Sequence, residues 1–301
     1  MTVSSDTALI GNALRYVKSI CRIATLALLI HALPHIATAQ ESDLKRRANP
    51  NNWIFKKCTG MGCEMTLMVR IPAGEFRMGS KEGQPNEKPP HSVYLDEYLI
   101  DIYETTVADY KKCVEAGKCD RPKTGRYYNW RKTGRDRHPI NGVDWFNAKK
   151  YCEYVGKRLP TEAEWERTAS WRDGKKYKYS SGKSSVSCTD AVMDDGNKYG
   201  GSDADGCGKD CTWKVGSKPE EINGTYDMAG NVWEWVLDWY DSDYYDQSPR
   251  SNPKGPDSGS SRVLRGGGWG YAASGLRGAN RSYGDPSLRV SGFGFRCAVS
   301  P

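Results

Sequence analysis

Histidine, phenylalanine and long apolar runs are scarce in this chain. Among 301 residues there are 4 histidines and 5 phenylalanines, and hydrophobic residues make up 38%. His91 and His138 each stand alone beside a proline, a pattern more typical of loop residues than of catalytic ones. Charges of both signs are interspersed without a basic run, so the formal charge of +7 does not favour nucleic acid as a partner.

Aromatic residues and glycine are abundant instead. The chain has 18 tyrosines, 10 tryptophans and 32 glycines. Disordered chains lack aromatic residues to bury, so this composition indicates a folded, loop-rich protein. The length suits one large domain or two small ones with a sizeable core.

Residues 1–39 have the pattern of a signal peptide. Three basic residues precede the apolar run IATLALLIHALPHIA, and positions 37–39 supply the small residues that cleavage needs. A membrane anchor is the alternative, but two histidines and a proline interrupt the run, which falls short of about 18 clean apolar residues. We therefore expect export to the periplasm, the cell envelope or the medium, with no stable membrane span after cleavage. Cleavage removes three basic residues and one acidic residue, which leaves a formal charge of +5.

Nine cysteines follow residue 39, and in an exported protein they favour disulfides over a metal cluster. Two pairs are close enough in sequence to close small loops, namely Cys58 with Cys63 and Cys113 with Cys119. Because nine is odd, one thiol stays unpaired, and we expect it among Cys188, Cys207 and Cys211. A zinc site in this trio is the alternative, although its CxxxC lacks a second ligand pair.

Few long regular elements are predicted. Residues 40–65 form a polar lead-in, and VRIPAGEFRMGS (69–80) alternates apolar and small residues as a strand does. A Pro-rich loop then leads into a strand pair. Three short helices follow in TVADYKKCVEAG, DWFNAKKYCEYVG and PTEAEWERTAS, where Thr106 and Thr161 are expected N-caps. Turn signals dominate the rest, so we predict a single α+β domain over residues 66–301 with little regular secondary structure.

The segment YDMAGNVWEWVLDWY (226–240) sets oxygen-bearing side chains among large aromatic residues. Calcium takes six to eight oxygen ligands and accepts backbone carbonyls as readily as carboxylates. The spacing does not match an EF-hand, and by itself the pattern fits a metal site and ordinary turn caps equally well.

Six segments together resemble the formylglycine-generating enzyme family, also called sulfatase-modifying factors. They are IPAGEFRMGS, ETTVADYKKC, YCEYVGKRLPTEAEWERTA, YDMAGNVWEW, RVLRGGGW and GFGFRCA. The resemblance implies a compact domain with an elaborated C-type lectin fold. It also implies a structural calcium ion held by Asp227, the Gly230 and Val232 carbonyls and Glu234, and a disulfide between Cys152 and Cys297.

A second calcium site of the family falls between residues 188 and 215, without a match residue by residue. The candidates for it are Asp190, Asp194, Asp195 and Asp205.

One part of the family pattern is missing. Members that make formylglycine carry a CxxxxC pair after the GGSW-like turn, and its thiolates bind copper(I) as soft ligands. Here residues 270–276 read GYAASGL and contain no cysteine, histidine or methionine, and Gly268 replaces the serine. We therefore expect no copper and no formylglycine-generating oxidase.

The turn after RVLRGGGW supplies the candidate cleft residues, which are Arg265, Trp269, Tyr271, Arg277 and Arg281. With Arg296, the arginines are predicted either to line a pocket for an anionic group or to hold buried loops together. Tyr271 is predicted to contact a peptide or sugar, or to pack on the surface. Trp233 and Trp235 are predicted to lie in the core.

Two functional classes stay open from the sequence. The first is a calcium-stabilised binding or assembly module of the cell envelope, like exported bacterial members of the family that lack the cysteine pair. The second is an enzyme with a repurposed cleft that acts on an exported peptide or small molecule, as in siderophore maturation. The partner is then an exported peptide, protein or small molecule, and fold alone does not choose between the two.

Overall fold

The computed structural model of the protein describes residues 52–59, 62–197 and 205–301, without the side chains of 56–59 and 62–64. The signal peptide expected at 1–39 lies outside these residues, and so do the side chains of Cys58 and Cys63. No helix in the described ranges is long and apolar enough to cross a membrane.

Four sheets carry the strands of the described residues. The strands are β1 Asn52–Thr59, β2 Gly62–Ile71, β3 Gly74–Met78, β4 His91–Leu95, β5 Tyr98–Asp101, β6 Trp171–Arg172, β7 Lys175–Lys176, β8 Trp233–Trp239, β9 Arg262–Arg265, β10 Ser282–Gly284, β11 Phe293–Gly294 and β12 Ala298–Val299. Their order is β1-β2-β5-β12 in one four-stranded sheet and β10-β9-β8-β11 in the other, with β3-β4 and β6-β7 as two-stranded ribbons.

The three predicted helices are confirmed as α1 Val107–Glu115, α2 Trp145–Tyr154 and α3 Glu162–Ser170. A one-turn helix α4 spans Tyr244–Gln247, and 3-10 turns span Pro85–Glu87 and Ala273–Leu276. Thr106 accepts the Asp109 N–H at the start of α1, and Thr161 forms a reciprocal capping box with Glu164 at the start of α3. Capping side chains satisfy backbone N–H groups that have no partner within the helix.

The strand expected over 69–80 is two strands in two sheets. Ile71 ends β2, which pairs with β5, whereas Gly74 begins β3, which pairs with β4. Pro72 lies between them, and its lack of an N–H prevents one ladder from continuing. The strands β4 and β5, predicted as a pair, belong to different sheets, because β4 pairs with β3 and β5 pairs with β2.

The segment predicted as a lead-in contributes to a sheet. From Asn52 onward it forms β1 and the first four residues of β2, an antiparallel hairpin whose second strand pairs with β5. Asn51–Pro301 form one compact unit of α+β character.

Aromatic residues and α3 occupy the centre of this unit. Trp233, Trp235 and Phe295 pack with α1 and α2 in one cluster. All nine residues of α3 are buried, although three of them are glutamates. Burying a carboxylate is costly unless it is paired, so α3 demands cationic partners from the surrounding loops.

Candidate functional site

The turn after β9 requires glycine at two positions. Gly266 and Gly267 have φ angles of 97° and 77°. A Cβ on Gly267 would lie 2.6 Å from the Leu276 side chain, and one on Gly266 would lie 3.0 Å from the Trp165 ring. The chain is thereby held close to the 3-10 turn Ala273–Leu276.

Residues 270–276 carry no reactive side chain into the cleft. Leu276 is fully buried, while Tyr271 is 47% exposed and packs edge-on against Trp233 with ring centroids 5.2 Å apart. Tyr271, whose ring packs against Trp233, therefore lies in the segment where the family resemblance implies two cysteines.

Trp269 and Tyr127 extend this surface. Their ring centroids are 5.7 Å apart, and the Arg126 guanidinium lies 5.1 Å from the centre of the Tyr127 ring. The Nε1 of Trp269 is buried and has no hydrogen-bond partner among the described residues. We call Tyr127, Trp269 and Tyr271 the aromatic rim.

Of the two roles predicted for the arginines, lining a pocket is wrong for Arg265 and Arg281. Arg265 is fully buried and Arg281 is 4% exposed. Arg265 pairs with Glu166 at 2.5 Å, and Arg281 pairs with Glu162 at 2.7 Å. They are the cations that α3 requires, so they hold buried loops together.

Glu166 shows the strength of this pairing. Burial alone would raise the pKa of its carboxyl, but the charges of Lys176 and Arg265 lower that pKa to about 2.

Arg277 also forms an ion pair with a buried glutamate of the protein. Its two terminal nitrogens donate to the two carboxylate oxygens of Glu87 at 2.6 and 2.7 Å, and Glu87 is fully buried. The outer face of Arg277 lines a cavity of about 590 Å³ together with Tyr177 and Lys178. This cavity is a feature that sequence reasoning missed, because its walls come from three distant segments.

The described cysteines form three disulfides. They are Cys113–Cys119, Cys152–Cys297 and Cys188–Cys207. The unpaired cysteine of the predicted trio is Cys211, whose sulfur lies 3.3 Å from Nη2 of Arg135. No two unpaired thiols meet in the described part of the chain.

A group of buried carboxylates surrounds Arg296 beside the Gly230 turn. Arg296 donates to both oxygens of Glu234 at 2.7 to 3.0 Å, and both residues are almost completely buried. Burial, together with the charges of Asp227 and Glu234, raises the pKa of Glu104 well above its usual range. Burial raises the pKa of Asp227 to about 6.

This donor set fits a cation. Asp227 has a buried Oδ1 without a hydrogen-bond partner in the described residues, while its Oδ2 accepts the Gly216 N–H at 2.7 Å. Glu234 differs, because Arg296 and the Trp165 indole already occupy its oxygens. No three His, Cys, Asp or Glu side chains converge on a metal position within the described ranges, so a calcium ion bound here would need carbonyl ligands as well.

Glu104 is the member of this group that sequence reasoning missed. It accepts the Asn231 amide at 2.6 Å and the Val232 N–H at 3.2 Å. It follows β5 and lies more than a hundred residues before its partners. Glu104 stands two residues before the N-cap Thr106, and nothing in that local pattern indicates its distant partners.

Three of the candidates for a second calcium site cap local turns. Asp194 accepts the Gly196 N–H at 2.8 Å, Asp195 accepts the Asn197 N–H at 3.1 Å, and Asp190 pairs with Lys183. Burial, with the charges of Asp194 and Asp210, raises the pKa of Asp205.

The fold and this site define a loop-rich α+β domain in which buried carboxylates surround Arg296 and residues 270–276 carry no thiol. The chain belongs to the family of the sulfatase-modifying factor enzyme 1-like domain, whose model matches residues 57–301. It is 32% identical to the formylglycine-generating enzyme of Streptomyces coelicolor, over 76% of this chain and 88% of that protein. The structure of PvdO from Pseudomonas aeruginosa superposes with a TM-score of 0.66 and 30% identity, over 83% of this chain and 99% of that one.

A further relative is much longer. The chain is 37% identical over 252 residues to a protein of Chlamydia caviae named serine/threonine-protein kinase pkn1, and the match covers 77% of this chain. This chain spans 38% of the length of that relative.

Proposed function

We propose that this protein is an exported, calcium-stabilised binding or assembly module of the cell envelope that keeps the fold of formylglycine-generating enzymes without their copper oxidase. The observation that carries the proposal is the segment 270–276, where Tyr271 covers Trp233 and Leu276 is buried. Copper(I) favours soft thiolate ligands, and none is available on this segment.

The positions of the cysteines support the same conclusion. Cys297 is bonded to Cys152 and is fully buried, so it is not available at the cleft. Cys211 lies against Arg135 as a single thiol, whereas the family mechanism uses a pair. Three disulfides in the described residues also favour an oxidising compartment, which supports export.

The buried carboxylates support the calcium part of the proposal. Asp227, with the carbonyls of Gly230 and Val232, would hold the ion, while Glu234 keeps its bonds to Arg296. When bound, calcium would neutralise charge that burial otherwise disfavours. The ion therefore has a structural role and takes no part in a reaction.

The comparison with the longer Chlamydia relative supports the proposed role as a binding or assembly module. A match that covers 38% of that protein shows this kind of domain joined to further sequence. A domain used in this way is suited to recognising a partner, and the half-exposed ring of Tyr271 offers apolar surface for that purpose.

The decisive experiment is an oxidase assay. Purified mature protein is incubated with copper, oxygen and a peptide that contains the sulfatase-type CxPxR sequence, and the peptide mass is followed. We expect the cysteine to remain unchanged. Copper-dependent conversion of the peptide cysteine would return the protein to the oxidase class. Loss of that conversion in the variant Cys211→Ser would identify Cys211 as the thiol responsible.

A further inference from the structure

Two loop segments hold the excess positive charge of the protein. Residues 121–137 contain seven lysines and arginines against one aspartate, and residues 205–218 contain three lysines against two aspartates. Together they carry a formal charge of +7, as large as the excess of the whole chain. The remaining described residues together carry no net positive charge.

The two segments pack together into one surface, which we call the basic face. Val215 donates its N–H to the Arg137 carbonyl at 2.9 Å, and Arg135 donates to the Thr212 carbonyl at 3.2 Å. Arg126 lies 3.5 Å from the Asp210 carboxylate. Charges that are interspersed along the sequence thus become neighbours in space.

The field of the basic face acts on a residue buried beneath it. Burial, followed by the charges of Arg135, Lys214 and Lys209, lowers the pKa of His138 to about 4. Arg131, Arg137 and Lys214 are exposed, and no carboxylate in the described residues forms an ion pair with them. These three cations are available to a partner.

The basic face borders the aromatic rim. Tyr127 belongs to the first segment and contacts Trp269, whose carbonyl accepts the Gly206 N–H from the second segment at 2.8 Å. A chain-like ligand that contacts Tyr271 can therefore continue onto the arginines without crossing another part of the surface.

The side chains on the basic face favour one class of anionic partner. Its rings are covered, because lysines lie over Trp213 at 3.6 and 4.2 Å and Arg126 and Lys123 lie over Tyr127 and Tyr128. Binding of single-stranded nucleic acid relies on open rings for base stacking. None of the large exposed apolar residues of the described chain belongs to these segments, so nothing here inserts into a bilayer.

Five of the seven cations in the first segment are arginines. The guanidinium group binds a carboxylate through two parallel hydrogen bonds, which a lysine cannot do. An extended chain with repeated carboxylates would therefore offer acceptors to these guanidinium groups.

We propose that the basic face binds an acidic polypeptide segment rich in Asp and Glu, which enters from the aromatic rim. This inference rests on the proposed binding function of the cleft and adds the chemistry of the ligand. It also predicts that the basic face binds acidic peptides in preference to CxPxR peptides, because it would repel the arginine of a CxPxR peptide.

The test measures binding of a fluorescent oligoglutamate peptide by anisotropy. The variant Arg131→Gln/Arg137→Gln/Lys214→Gln removes three exposed charges without breaking a side-chain hydrogen bond of the described structure. We expect about tenfold weaker binding, because three exposed ion pairs are lost. Affinity should also fall steeply between about 0.05 M and about 0.5 M salt, since these charges are exposed.

The matched control is Lys81→Gln/Lys88→Gln/Lys254→Gln, which changes the net charge equally at exposed sites away from the basic face. It should bind like wild type. Equal losses in the two variants, or no binding by wild type, would overturn the proposal.

Competitors separate the remaining classes of partner. If single-stranded DNA or anionic vesicles bind wild type as tightly as oligoglutamate and with the same loss in the variant, recognition of a polypeptide is refuted. The oxidase assay addresses the proposed function separately, because turnover of the CxPxR peptide would refute that function whatever the oligoglutamate result.

Discussion

Replacing Glu234 by glutamine tests whether this residue chiefly neutralises Arg296. Arg296 is fully buried and donates three hydrogen bonds to the Glu234 carboxylate. It also donates to the carbonyls of Asp101, Ile102 and Tyr226, which carry no full charge. Glutamine keeps the shape of the side chain but removes the counter-charge.

The expected loss follows from this burial. Removing one partner of a buried ion pair costs about 3 to 5 kcal/mol, because the other charge is left uncompensated. Glu104 and Glu221 remain within electrostatic reach of Arg296 and would take over part of the compensation. We therefore expect a loss near about 3 kcal/mol, which is large against a typical stability of about 5 to 15 kcal/mol.

The assay is urea unfolding followed by tryptophan fluorescence, with calcium and with a chelator. Glu234→Gln should lose similar stability under both conditions, because the ion pair does not depend on the metal. The control Glu75→Gln removes an exposed partner of Arg250 and should cost less than about 1 kcal/mol. A loss in Glu234→Gln that is equally small, or that disappears in chelator, would refute the ion-pair assignment.

Three further predictions concern calcium, the long disulfide and pH. A chelator should lower the melting temperature of wild type and not that of Asp227→Asn, since an ion at a hundredfold excess over its Kd adds about 2.7 kcal/mol; equal responses would remove Asp227 from the site. The double variant Cys152→Ala/Cys297→Ala should lose about 4 to 5 kcal/mol, because the bridge closes a separation of 145 residues. A loss no larger than that from removing the short bridge after α1 would contradict this. Stability should fall as pH drops from 6.5 towards about 4, because unfolded chains protonate His138 while burial and Arg135 keep the folded residue neutral. An NMR titration that gives His138 its ordinary pKa would exclude this contribution.

Local signals in the sequence predicted the helices well. Thr106 and Thr161 act as caps within three residues of their partners, so the information needed lies inside each segment. The missing thiols at 270–276 could also be identified directly, because an absent side chain cannot be restored by folding.

The strands were predicted less well, because their partners are distant in sequence. Pro72 was visible in the sequence, but its effect on the chain was not, since the two halves of 69–80 find different partner strands. The same limit explains Glu104, whose importance depends on contacts with residues about 127 positions away.

The sequence by itself determined the family, the helix caps and the lack of paired thiols, because each depends on residues present or absent within a short segment. Only the tertiary structure decided the roles of the arginines, since a guanidinium binds ligand or protein carboxylate according to what surrounds it. Arg265 and Arg281 became partners of the buried α3 glutamates. The interspersed charges of residues 121–137 and 205–218 became one surface because folding brings the two loops together.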